Sequence, residues 1–149
     1  MTPDNFLFLE PLIKTALREA LDPRVHVLSA AELEGVAEAT QPTPAVHVLY
    51  RGYRVGESRM ASHVNIEQTW LTVVACRQVR DVVGGADARA LAGPLAAAVI
   101  DALHYTRFPN AKPLRLAQAP PAAFSAGHFY LPIGWTAEIN LRSDTCGSN

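Results

Sequence analysis

A chain of 149 residues with 49% hydrophobic, 18% charged and 7% aromatic residues has the size and mix of one compact domain with its own core. Thirteen Lys+Arg against 14 Asp+Glu give a formal charge of -1, which supplies no overall field for nucleic acid or an anionic membrane. No stretch reaches the roughly 20 uninterrupted apolar residues of a bilayer span, and the acidic N-terminus lacks a signal-peptide order, so the expectation is a soluble protein kept inside the cell.

In chain order, Leu9, Leu12, Ile13, Ala16, Leu17, Ala20 and Leu21 recur at three- and four-residue spacing and predict a helix from Leu9 to Leu21, with Pro11 tolerated in its first turn and Pro23 closing it. Val25 to Leu28 is β-prone. Ser29 with Glu32 three residues on reads as a capping box opening a short helix from Ala30 to Glu38. The prolines at 42 and 44 mark a surface connection into a strand from Ala45 to Tyr50.

Arg51 to Ser62 interleaves Arg51, Arg54 and Arg59 with Tyr53, Gly52 and Gly56, and is expected to project as a hairpin or loop. His63 to Val79 begins with clean alternation and turns apolar on both faces from Trp70 to Cys76, predicting a strand exposed at its start and central at its end. Asp81 to Ala86 reads as a loop. Leu91, Leu95, Ala98, Val99, Ala102 and Leu103 then form a second helical stripe ending near Arg107, and Ala92 and Ala96 to Ala98 around the circumference suggest burial on two sides. A short strand from Leu114 to Gln118 sits among prolines. The alternation from Phe129 to Leu141 is the clearest strand signal, with Pro132 and Gly134 expected at an edge or bulge in its first half.

The fold class expected is therefore α+β or α/β: a mostly antiparallel or mixed sheet flanked by two main helices, with a projecting hairpin. Residues 1–142 read as one domain and 143–149 as a polar tail. Trp70, Val74, Ile133, Trp135, Ile139, Ile13, Leu17, Leu95, Val99 and Leu103, together with Leu71 and Val73, are the candidate core.

Chemical signatures are sparse. Gly84-Gly85-Ala86-Asp87 lacks both the third glycine of a dinucleotide fingerprint and the Gly-Lys-Ser/Thr of a P-loop. The five histidines, His26, His47, His63, His104 and His128, stand singly, without metal-ligand spacing. His26 and His47 read as hydrogen-bonded structural imidazoles within strands. His128 follows Gly127 near Ser125, but no Gly-x-Ser-x-Gly elbow surrounds that serine. Cys76 lies in an apolar run and Cys146 in the polar tail, so both read as reduced thiols. Glu67 on one strand and Glu138 on another could approach each other across a sheet, but both lie where solvated strand faces normally put charges. The Arg51–Tyr53–Arg54 segment suits a protein interface, a solvated loop or, against the overall charge, nucleic acid. No cofactor, metal or catalytic set is expected.

The phrases LEPLIKTALREAL (9–21), PAVHVLYRGY (44–53), EQTWLTVVA (67–75), AGPL (92–95) and GHFYLP (127–132) resemble the tail terminator proteins of Mu-like, lambda-like and related long-tailed phages and prophages, over Leu9 to Arg142. The resemblance implies a small α/β protein without catalysis. It implies a homo-oligomeric, hexameric ring at the head-proximal end of the tail, assembled in the host cytoplasm. Its partners would be copies of itself, the tail tube protein and the head–tail connector, with DNA only in transit through the channel and no membrane. Candidate subunit or tube contacts are Arg51, Tyr53, Arg54, Arg59, Glu67, Ala96 and Pro132. The alternative is a small cytosolic enzyme or ligand-binding protein with a pocket near His128, Ser125 and Tyr130.

Overall fold

In a computed structural model, which describes residues 5–56, 63–77 and 86–142, the elements run α1 (Leu9–Ala20), β1 (His26–Ser29), α2 (Ala30–Leu33), β2 (Ala45–Val55), β3 (His63–Arg77), α3 (Ala86–Leu103), β4 (Arg115–Ala117), β5 (Ala123–Ser125) and β6 (His128–Arg142). They build a mixed six-stranded sheet in the order β1-β2-β3-β6-β4, with β5 also on β6. Only the β1–β2 pair is parallel.

Long β3 and β6 pair antiparallel from His63↔Arg142 to Arg77↔His128, and this register decides the core. Because side chains alternate faces, Ile66, Gln68, Trp70, Thr72, Val74 and Cys76 share one face with Ile139, Ala137, Trp135, Ile133, Leu131 and Phe129. Both long helices cover that face. From α1 come Leu9, Ile13 and Leu17, and from α3 come Ala88, Ala92, Ala96, Val99 and Leu103. The two tryptophans sit directly opposite each other, fully buried. Trp135 donates from Nε1 to Thr72 Oγ1 at 2.8 Å, and Trp70 donates to Gln68 Oε1 at 3.1 Å. Gln68, itself buried, donates onward to the Phe6 carbonyl at 2.8 Å and so ties the N-terminal turn to the sheet.

Leu71 and Val73 are buried as expected, but on the opposite face of the sheet, with Ala45, His47 and Ala75 as neighbours in register. The Trp70–Cys76 run is thus covered on both sides, as its doubly apolar sequence requires.

Several boundaries differ from the sequence expectation. The second helix spans only Ala30–Leu33, because Gly35 takes a positive φ of 78° and turns the chain away; a single 3-10 turn follows at Glu38–Thr40. The Ser29–Glu32 capping box is present. The third helix ends at Leu103, short of Arg107, and its inward stripe runs through its alanines. Leu91 is 60% exposed, since small side chains on the inner face let the helix lie close to the sheet and turn the large leucine outward. Strand β5 was not anticipated. The loop expected at 81–86 lies, but for Ala86, outside the described residues.

The strand expected to stop at Tyr50 continues to Val55. Its register with β3 shifts between Tyr50 and Gly52, so Arg51 is an extra residue in a β-bulge, and Gly52 adopts φ 140°, a conformation that a side chain would strain. A polar, arginine-rich exposed strand carries the same composition as a loop, which is why the sequence reads as one. Residues 57–62, with Arg59, lie outside the described residues.

β6 is flanked by strands on both sides only at His128–Tyr130, where β5 pairs, and at Gly134–Thr136, where β4 pairs, so Gly134, against expectation, is not at an edge. Half-buried Pro132 falls in the gap between β4 and β5, where a missing N–H interrupts no second ladder.

Candidate functional site

The bulge at Arg51 changes which side chains face which way. Tyr50 lies on the helix face opposite Trp70, and without an extra residue Gly52 and Arg54 would follow it there. With the extra residue, Tyr53 lands on the helix face opposite Gln68 and Arg54 on the other face opposite Glu67. Tyr53 packs edge-on against Phe6 at 5.5 Å between centroids, Phe6 meets Tyr50 at 6.2 Å, and Tyr50 meets Trp70 at 5.3 Å. This aromatic ridge grows out of the core toward the hairpin end, and Tyr53 remains 59% exposed. Phe6 had no visible signal in the sequence; it is placed by Gln68, whose amide holds its carbonyl.

On the opposite face a charged row crosses the sheet. Arg54 pairs with Glu67 at 3.2 Å, Glu67 stands in register with Glu138, and Glu138 pairs with Lys112 at 3.2 Å. Asn65 donates to Glu138 at 2.7 Å, and that hydrogen bond, followed by Lys112, holds the Glu138 carboxyl below its ordinary range. The sequence-suggested carboxylate pair is therefore brought together, but each carboxylate faces a cation, and the lowered pKa of Glu138 is the opposite of the raised pKa a general acid needs. A groove of about 530 Å³ runs along this row, lined by Arg54, Val55, Gly56, Asn65, Glu67 and Glu138.

Ala96, expected at a subunit contact, is 8% exposed and packs in the core. The outward face of α3 is instead Ala90, Leu91, Gly93, Pro94, Ala97 and Ala98, an unusually apolar surface.

The residues around His128 assemble differently from a catalytic site. Tyr130 is flanked by His47 and His128, with ring centroids 6.4 and 6.1 Å away. Its hydroxyl donates to Glu38 and accepts from the Gln41 amide, both at 2.5 Å. Burial first, then the Glu38 carboxylate, pushes the Tyr130 phenol up to about 12. Ser125 donates to Glu38 at 3.2 Å, so Glu38 engages the serine that the sequence set beside His128. His128 is buried, its Nδ1 is 3.2 Å from the Ala126 carbonyl, and its Nε2 is unpaired. His47 is also buried with Nε2 unpaired, which corrects the hydrogen-bonded reading, and His26 is exposed rather than structural. Glu38 and Tyr130 are 92 residues apart, a pairing that spacing cannot reveal. Cys76 is buried and free, and burial pushes its thiol up. Among the described residues, no group of three or more His, Cys, Asp or Glu could hold a metal ion.

Burial, and secondarily the neighbouring His128, holds the pKa of His47 below its ordinary value. The folded state then binds fewer protons at this site than the unfolded state, so stability is present at neutral pH and falls as pH drops through about 6.5. Thermal melts are expected to show a lower midpoint at pH 5 than at pH 7. In His47→Gln the drop should shrink; an unchanged drop would assign it to other groups.

A family model described as "Phage tail terminator protein" matches residues 4–145 of the chain. Among curated proteins, none matches it.

Proposed function

The chain belongs to the phage tail terminator family, a structural component of the virion tail that works with other tail proteins, and from that premise we propose that it caps the tail tube as a closed ring. In this reading the ring, a hexamer, sits at the head-proximal end, stops tube polymerisation and offers its free surface to the head connector, after assembly in the host cytoplasm. DNA passes only through the channel. The role asks for surfaces and no catalytic step.

The observation that carries this reading is the hairpin end of β2 and β3. An exposed Tyr53 on an aromatic ridge of the helix face, with exposed Arg51 near it in sequence and Arg54 on the opposite face, offers at one end of the hairpin the residue types that anchor protein interfaces. Glu67 lies with Arg54 on that opposite face. Arginines there can pair with carboxylates on a neighbouring subunit or the tube.

Deleting the gene is the direct test. Tails of uncontrolled length and unjoined heads are expected; normal tails already attached to heads would reduce the protein to an accessory. At residue level, Tyr53→Ala with Arg54→Ala should weaken assembly about tenfold or more while leaving the melting midpoint within a few degrees, since both side chains are largely exposed. Full infectivity and unchanged tail length in the double variant would remove the hairpin from the contact.

A further inference from the structure

The two lateral edges of the sheet carry opposite charge. At one edge, α1, β1 and the turn after them, residues 9–38, hold six carboxylates (Glu10, Glu19, Asp22, Glu32, Glu34, Glu38) and three cations (Lys14, Arg18, Arg24). At the other, the chain around β4 from 104 to 122 holds Arg107, Lys112 and Arg115 and no carboxylate of its own; Lys112 is paired with Glu138 of β6, which leaves Arg107 and Arg115. The net charge of -1 conceals this separation.

Beside β1 runs a groove of about 340 Å³ lined by Pro23, Val25 and Leu28 together with Asp22, Glu32 and one cation, Arg18. Glu19 and Glu34 of the same segment are exposed. The β4 edge presents Leu116, 47% exposed on the helix face in register with Trp135, and on the other face Tyr105, 61% exposed, beside Lys112 and Arg115; Arg107 is exposed as well.

Strand pairing is not how β1 could be met. His26 N–H donates to the Pro44 carbonyl on the β2 side, so the groups of Val27 and Ser29 face outward. There the Val27 carbonyl accepts from Arg18 at 3.0 Å and the Ser29 N–H donates to Glu32 at 3.1 Å. Side chains of α1 and α2 thus close the edge against an added strand, leaving a charged, partly apolar surface for side-chain contact.

We propose that the β4 edge of one copy docks on the β1 edge of the next, Leu116 entering the groove while Arg107 and Arg115 face Glu19 and Glu34. The contact is heterologous, as a closed ring requires, because each copy presents one edge of each kind. It rests on the ring reading above and supplies the two surfaces of its closure.

The test is charge reversal in the full-length protein, read by light scattering and electron microscopy. Glu19→Lys/Glu34→Lys and Arg107→Glu/Arg115→Glu should each weaken association at least about tenfold with an unchanged circular dichroism spectrum. Combining all four in one chain should restore the ring, because every contact again joins opposite charges. Wild-type association should weaken as salt rises from about 0.05 to 0.5 M. If wild type forms rings and either double variant forms them equally well, or the fourfold variant stays apart, the edge assignment is wrong while the ring stands. Rings retained with loss of tube, connector or DNA contact would give the edges to that partner instead. Wild-type protein that stays monomeric at high concentration and on tube ends would remove the ring reading itself.

Discussion

Replacing Trp135 by alanine should lower the unfolding free energy by about 3–5 kcal/mol, the range for truncating a fully buried large aromatic. Trp135 has no exposed surface and faces Trp70 in register within the sheet, on the face that α3 covers, so neighbouring side chains have little freedom to collapse into the vacated volume. The substitution also leaves the buried Thr72 hydroxyl without the Nε1 donor it now receives at 2.8 Å, a loss on the order of 1 kcal/mol within the same range. Urea unfolding measures it. Trp135→Phe, which keeps most of the volume, should cost clearly less, and a cost below about 1 kcal/mol for alanine would mean that the helices do not press on this position as described.

A second large effect is expected from the smallest side chain. A Cβ at Gly134 would lie 2.4 Å from the Gln118 carbonyl oxygen and 2.8 Å from that of Ala117, and both are backbone atoms that cannot rotate away. Gly134→Ala must therefore push β4 off β6, at a cost on the order of 1–3 kcal/mol, and Gly134→Val should cost more. Hydrogen exchange separates this from general loosening. Amides of Arg115–Ala117, which pair with Thr136 to Gly134, should lose protection while the β3–β6 ladder keeps it. Because β4 carries Leu116 and Arg115, the same variant should also lose association if that edge meets a neighbouring copy. Wild-type stability with protected β4 amides would show that the segment is not packed this closely.

Local periodicity made most of the architecture legible. The stripe of Leu9, Ile13 and Leu17, the capping box at Ser29 and Glu32, and the alternation from Phe129 to Leu141 are near-neighbour patterns, and each forms the element it predicts. The same patterns placed Trp70, Trp135, Val74 and Ile139 in one core. The reading failed where two structures share a composition. An exposed strand and a loop are both polar, so the sequence left Arg51 to Val55 open between a hairpin and a loop, and the structure makes it a hairpin arm that continues β2. Leu91 and Ala96 are both apolar helix positions, so the chain alone could not say that the small one faces the sheet.

What the sequence by itself determined is the set of elements, the apolar face of each and the absence of spaced metal-ligand or nucleophile motifs, since all of these depend on residues within a few positions of one another. The tertiary structure decided the rest. Through the extra residue at Arg51 it chose the faces of Tyr53 and Arg54, and it brought Glu38 and Gln41 to Tyr130 and set Glu67 beside Glu138. It also sorted the carboxylates of the first helices and the cations around β4 to opposite edges of one sheet. These are long-range facts, because strand order and register join residues that the chain separates by tens of positions, and nothing in the local pattern specifies which strands become neighbours.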